Sequence, residues 1–315
     1  MLDPIVAAAT IGLVVSPAAG NLVLRGFEGV PIHWRRTAAW LAVAGACCAT
    51  GVATQLGSGR AAEWLFIVLL GAVPSMVAFL VFRTVTASAL VSLVPMYFGI
   101  GAMTLGRPLH TPVTALDRAV PLEPAWMLVY GSMYVFAFLP LLVVRDGELR
   151  HRAACAYVTV IVVAYAGFIL YPTVGPRPEA VMSGGFAAWA LRLQYSLDWP
   201  YNCFPSLHVA HSFVSALTSY RVHKGVGRAA LLWAFLIGVS TLFTKQHYAV
   251  DVIGGMLAAY AAHLIFLRDY PREAIEEIDY RRAPRRALGF VAIFALFIAG
   301  IWVTYRVAMA VPAAR

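Results

Sequence analysis

The chain has 315 residues, 61% of them hydrophobic and 12% charged, with a formal net charge of +9 and a mean hydropathy of +0.76. A soluble domain carries about 25% charged residues, so the composition excludes an ordinary water-soluble enzyme and a disordered chain alike. The four cysteines, Cys47, Cys48, Cys155 and Cys203, offer no disulfide framework, because three of them lie inside apolar runs.

Apolar runs long enough to cross roughly 30 Å of hydrocarbon predict spans at 4–24, 37–56, 62–82, 86–106, 125–144, 153–172, 205–220, 229–244, 247–267 and 288–308. The first lacks a basic leading segment, Asp3 being its only early charge, so it is expected to be a retained span rather than a cleaved leader. The runs at 205–220 and 247–267 carry histidines and a carboxylate, which suit a bundle interior and not a lipid-facing surface. The proline- and glycine-bearing intervals 107–124 and 173–204 predict irregular surface structure. Residues 269–287 read as an acidic and then basic connector, partly an interfacial helix.

If the spans alternate, the loops at 25–36, 83–85, 145–152, 221–228 and 268–287 share one side. They hold two-thirds of the 24 lysines and arginines. The positive-inside rule makes that side cytoplasmic and both termini extracytoplasmic. The charge of +9 is then a basic membrane rim and calls for no nucleic-acid partner. The short loops suit a prokaryotic plasma membrane. The expected fold class is all-α, a polytopic membrane bundle in three parts: accessory helices over 1–85, a six-helix core over 86–267, and a connector with one last helix over 268–315.

Two segments carry the chemistry. In Lys245-Gln246-His247-Tyr248-Ala249-Val250-Asp251, His247 and Asp251 are four apart and share a helix face. A carboxylate that takes the proton of one imidazole nitrogen exposes the other nitrogen as a nucleophile; a plain polar pair holding the bundle together is the competing explanation. In Pro205-Ser206-Leu207-His208, proline and serine suit a helix start, with proline in the first turn. The amides there favour phosphate oxygens, Ser206 can bind phosphate or cap the helix, and His208 can act as a general acid. His211, one turn further, either orders His208 or simply packs. Arg177 and Lys245 are candidate phosphate contacts, with interfacial anchoring as the alternative. Asp117 either pairs with Arg118 or positions a substrate head group. Tyr171, Trp199 and Tyr248 read as interface aromatics, Tyr248 also as an accessory to the site. The predicted topology puts Arg177, His208, Lys245, His247 and Asp251 on one outer face.

Pro205-Ser206-Leu207-His208 and Ser240 through Asp251 resemble the motifs of the type 2 phosphatidic acid phosphatase (PAP2) superfamily. Tyr171 through Pro178 and Gln246-His247-Tyr248 are most similar to its inositol-phosphorylceramide synthase and sphingomyelin synthase-like branch. Thr241 stands where the superfamily has arginine, and Leu170 where its first motif has lysine. The resemblance covers 86–267. It implies a six-helix catalytic core, a phosphohistidine intermediate, and neither metal nor other cofactor. It makes His247 the nucleophile, Asp251 its orienting carboxylate, His208 the acid and then base, and Ser206, Arg177 and Lys245 the phosphoryl contacts.

The expected activity is therefore lipid phosphotransfer from a phospholipid-like or polyprenyl-phosphate donor to a polar alcohol or diacylglycerol. An inositol-containing head group follows from the branch resemblance. Hydrolysis of a lipid phosphate or of a polyprenyl phosphate or diphosphate is the first alternative. A transporter is the second, and a zinc enzyme built from His208, His211, His247 and Asp251 the third.

Overall fold

The computed structural model describes residues 85–310 continuously, residues 71–80, and scattered positions between Ala8 and Ala46. The spans expected at 4–24 and 37–56 are described only at those scattered positions, and that at 62–82 only over 71–80. Contacts divide the chain into two compact units, Met1–Leu105 and Gly106–Arg315. In the first, α1 (Gly71–Leu80) and α2 (Val85–Met103) are joined by a hydroxyl contact of 2.7 Å between Ser75 and Ser92.

The second unit begins with the short α3 (Ala115–Ala119). The apolar run expected as one span over 125–144 is instead broken. A 3-10 turn at Pro124–Trp126 leads into α4 (Met127–Gly131), α5 (Met133–Phe136) and α6 (Leu139–Val143). Its carbonyls are claimed from outside: Phe136 O accepts the Ser215 hydroxyl and Ala137 O that of Tyr157, while Ser132 Oγ turns back on Val129 O and receives the Trp233 indole. Backbone acceptors so engaged, with Pro140 lacking an amide hydrogen, no longer support one straight helix.

Then follow α7 (Gly147–Leu170), α8 (Gly185–Leu197), α9 (Leu207–Val222), α10 (Lys224–Phe243), α11 (Ala249–Ala262), which runs on through one wider turn to Leu267, and α12 (Glu277–Ala310). Among the described residues, α2, α7, α10, α11 with its extension, and α12 are long and apolar enough to cross a membrane. The protein is an all-α, polytopic membrane bundle. The one β feature among the described residues is an isolated parallel bridge, His110 to Thr173, tying the two irregular intervals together. Two expectations are corrected. Residues 185–197 form a helix within the interval read as irregular, and the second half of the 269–287 connector belongs to α12, about 50 Å long at 1.5 Å per residue.

The centre of this unit is α9, which packs against α5, α6, α7, α10, α11 and α12. Most of its buried positions are small, Ala210, Ser212, Ser215, Ala216, Thr218 and Ser219, alongside Leu207, Val209, Val214 and Val222. Small residues let helices approach closely where lipid offers no hydrophobic drive between them. The hydroxyls that lower its hydropathy are satisfied within the bundle: Ser212, Thr218 and Ser219 donate to the carbonyls one turn back, at 2.8–2.9 Å.

The turn leading into α9 is wedged between two glycines. A Cβ at Gly255 on α11 would stand 2.4 Å from Ser206 O, and one at Gly167 on α7 would stand 2.6 Å from Phe204 O. Both approaches involve backbone, so neither yields by rotating a side chain. Gly255→Ala is expected to cost about 1–3 kcal/mol through overpacking and to displace the Ser206 segment. Gly300→Ala on α12, where a Cβ meets nothing within 4 Å, serves as the neutral control. Thermal unfolding of the two detergent-purified variants checks the contrast; equal midpoints would contradict it.

Candidate active site

Four loop and helix ends place the two motifs together. Thr244 closes α10, and Lys245 takes a left-handed backbone conformation, φ 51°. That reversal carries the amides of Gln246 and His247 back to Thr241 O at 2.9 and 3.3 Å, a helix ending in which glycine is the usual residue. Asp251, three residues into α11, then folds its side chain back. Its Oδ2 accepts the Tyr248 amide at 2.8 Å and lies 3.3 Å from His247 Nδ1. His247 and Asp251 are both buried. The expected imidazole–carboxylate pair is present.

The second motif meets the first at the same residue. Ser206 N donates to Asp251 O at 3.0 Å, and Ser206 Oγ caps α9 by accepting the Val209 amide at 3.4 Å. Pro205 lies before that cap and so outside the helix, not in its first turn as expected. His208, in the first turn, brings Nδ1 to 3.0 Å from His247 Nε2. On its other side His208 Nε2 is 3.0 Å from the Tyr130 hydroxyl. Tyr130, fully buried on α4, was missed by sequence reasoning, since a tyrosine in an apolar run carries no motif.

The remaining expected residues take other places. Arg177 donates to Gln246 Oε1 (2.6 Å from one terminal nitrogen, 3.2 Å from Nε), to the carbonyls of Tyr195, Asp198 and Trp199, and to Asp198 Oδ2 at 3.4 Å, with its guanidinium 4.9 Å from the Tyr195 ring centroid. It clamps the residue next to His247. Burial pushes the Tyr195 phenol up to about 12, partly offset by Arg177, and its hydroxyl donates to Thr244 O at 2.7 Å. Lys245, expected on the phosphate, instead donates to the carbonyls of Asp117 and Val120. Asp117 does not pair with Arg118 here: its Oδ1 accepts the Ala249 amide at 2.8 Å, and its Oδ2 accepts Thr114 N and Oγ1. Asp117 and Lys245 thus strap α3 to the His247 loop from both sides. The Tyr248 side chain is buried rather than interfacial. His211 packs on Tyr157, ring centroids 5.4 Å apart, with its Nε2 buried and lacking a hydrogen-bond partner among the described residues.

The four-residue zinc set is therefore not assembled, because His211 faces Tyr157 rather than His247. A different trio converges: the Cys203 sulfur, a His247 nitrogen and an Asp251 oxygen lie within 4.8 Å of one another. Cys203 bonds to the carbonyls of Pro200 and Gln246 at 3.5 and 3.9 Å. Burial, with Asp251 adding to it, pushes its thiol far above the ordinary range. A thiol held neutral is a poor metal ligand and a poor nucleophile; it fits as packing beneath the His247 loop.

Two imidazoles and a carboxylate in line at a helix start are matched by the comparison with known families. A model described as the PAP2 superfamily covers residues 103–265, a little over half of the chain. The chain belongs to the PAP2 superfamily. A PA-phosphatase related-family protein of Dictyostelium discoideum is 25% identical over 113 residues, a stretch that covers 32% of this chain and 20% of that relative. No solved structure matches. These similarities reach the superfamily and not its sphingolipid-synthase branch.

The Cys203 environment makes a direct prediction. With the other three cysteines replaced by serine, Cys203 should resist maleimide in folded protein from pH 7 to 9, because the thiolate that reacts is scarcely formed. A free thiol of pKa about 8.5 would gain reactivity steeply over that interval. Mass spectrometry before and after unfolding measures it, and rapid labelling rising with pH would refute the assignment.

Proposed function

We propose that this PAP2-superfamily protein is a membrane phosphatase that hydrolyses a lipid-borne phosphate, such as a phosphatidate-like or polyprenyl phosphate, through a phosphohistidine on His247. The observation that carries the reading is the line Asp251–His247–His208, with gaps of 3.3 and 3.0 Å. Asp251 keeps the His247 proton on Nδ1, so the Nε2 lone pair is the nucleophile. Substrate phosphorus enters between that nitrogen and His208 Nδ1, in place of the direct contact between the two rings.

In the first step His247 Nε2 bonds to phosphorus and the phosphorus–oxygen bond to the lipid breaks. Protonated His208 gives its Nδ1 proton to the departing alkoxide, which leaves as an alcohol. In the second step water attacks phosphorus, His208 takes the water's proton, and the phosphorus–nitrogen bond breaks to release phosphate. The start of α9 contributes positive potential next to His208, and Arg177 is the cation assigned to the phosphate side. Lys245 and Asp117 are assigned to holding the loop, and Ser206 to capping α9. The lipid chains stay in the membrane while the head group enters at the helix ends, on the extracytoplasmic side by the charge argument.

A second reading, transfer to an alcohol from a phosphodiester donor, draws on one observation. Leu170 and Thr241 replace the lysine and arginine of the superfamily pattern, leaving less positive charge for a doubly charged monoester.

Purified protein given labelled phosphatidate or polyprenyl phosphate should release inorganic phosphate in the presence of excess chelator. His247→Ala should lower that rate by at least about 10⁴-fold, as loss of a covalent nucleophile does, while His208→Ala should lower it about 10²- to 10⁴-fold. Label passing instead to added diacylglycerol or inositol, with a phospholipid donor, would favour transfer. Wild-type rates in both variants would refute the mechanism.

A further inference from the structure

With both imidazoles neutral, the hydrogen bonds around His208 have only one consistent direction. Asp251 can only accept, so His247 carries its proton on Nδ1 and offers a lone pair at Nε2. That lone pair takes the Nδ1 proton of His208, which leaves His208 Nε2 as an acceptor. The atom facing it, 3.0 Å away, is the Tyr130 hydroxyl, which must donate. The polarity continues outward. Gln194 Nε2 donates to the Tyr130 oxygen at 3.4 Å and to Asp198 Oδ2 at 3.5 Å, and Gln194 Oε1 accepts the Tyr134 hydroxyl at 2.9 Å. Asp198 is in turn held by Arg177, which also fixes Gln246, the neighbour of His247.

Tyr130 is built into this place. It is fully buried among Met127, Val181, Ala188 and Leu191, where α4 meets α8. A phenol shut into apolar surroundings is tolerated when its hydroxyl has partners, and His208 and Gln194 are among them here.

Resting on the hydrolase reading above, we propose that Tyr130 is a positioning residue that holds Nδ1 of His208 toward the leaving oxygen, with Gln194 setting the direction of its hydroxyl. A hydroxyl suits both charge states of the general acid. It donates to Nε2 of neutral His208 and, by rotating its own hydrogen, accepts from Nε2–H of the imidazolium. Phenylalanine can do neither, so His208 without Tyr130 loses the partner of its Nε2 and has a less accessible acid form.

The test compares leaving groups. Dioctanoyl phosphatidate leaves as an alkoxide and needs the His208 proton; p-nitrophenyl phosphate leaves as a stabilised phenolate and does not. Tyr130→Phe should lower kcat/KM, which reports the first step alone, on dioctanoyl phosphatidate about 10- to 100-fold and on p-nitrophenyl phosphate less than about threefold, the retained aryl activity showing that the protein is folded. Gln194→Met should give the same selective loss at smaller size, which guards against misfolding of the first variant. Equal losses on both substrates would make Tyr130 merely structural and overturn the proposal, as would wild-type rates on both. Wild-type protein releasing no phosphate from either substrate would overturn the hydrolase reading and this inference with it.

Discussion

A carboxylate buried as completely as Asp251 is expensive in a membrane protein and persists only where the surrounding groups compensate it. Asp251 accepts two donors through one oxygen, the Tyr248 amide and His247 Nδ1, and its own carbonyl accepts the Ser206 amide. One residue thus fixes the imidazole of its own motif and the helix start of the other. The separation between the histidines follows from that junction, because His208 is two residues beyond Ser206 and His247 four before Asp251. The polarity of the site follows as well, since the acceptor at one end dictates which nitrogen of each ring carries a proton.

That junction can form only because the surrounding helices come unusually close. Gly255 lies on the same helix as Asp251, one turn further, and meets Ser206 O; Gly167 meets Phe204 from α7. The central α9 contributes small hydroxyl residues where a typical membrane helix would carry leucines. A close-packed interior transmits displacement instead of absorbing it, so the geometry of the candidate site depends on residues outside it. The same holds on the far side, where Asp117 accepts the first amide of α11 and Lys245 ties the preceding turn to α3. Two charged groups that look catalytic in the sequence act here on backbone.

What the sequence disclosed follows the range of the signals. The His247–Asp251 spacing and the Pro205–His208 start are local patterns, and the helices that carry them were legible, as were the long runs that became α7, α10 and α11. The run over 125–144 had the length and apolarity of a span, but Ser215, Tyr157 and Trp233, all remote in sequence, redirect its hydrogen bonds. Helix α8 was hidden by its company: Pro176, Pro178, Gly184 and Gly185 dominate the interval, although Ala188, Leu191 and Gln194 repeat at helical spacing. Lys245 was misread because its left-handed backbone, which turns the chain toward α3, has no signature in a lysine. Tyr130 was invisible, since its role exists only relative to His208, 78 positions away.

The charge around the phosphorus position separates the two readings of the chemistry. With Leu170 and Thr241 in place of lysine and arginine, the superfamily's cationic cradle is reduced. Leu170 ends α7 with its side chain 81% exposed, where an aliphatic group suits lipid better than phosphate. Thr241 is buried, with its hydroxyl on Gly238 O and its carbonyl closing the turn before His247. Arg177 keeps its charge near the loop, although Asp198 beside it offsets part of that charge. In the proposed mechanism the positive charge left to a phosphoryl group is one guanidinium and the positive end of α9, worth more in a dry site than in water. Such a balance tolerates a singly charged phosphorus centre more readily than one with two or three charges. Under the proposed mechanism a monoester would enter best as a monoanion, whereas a diester donor would meet that condition without taking up a proton.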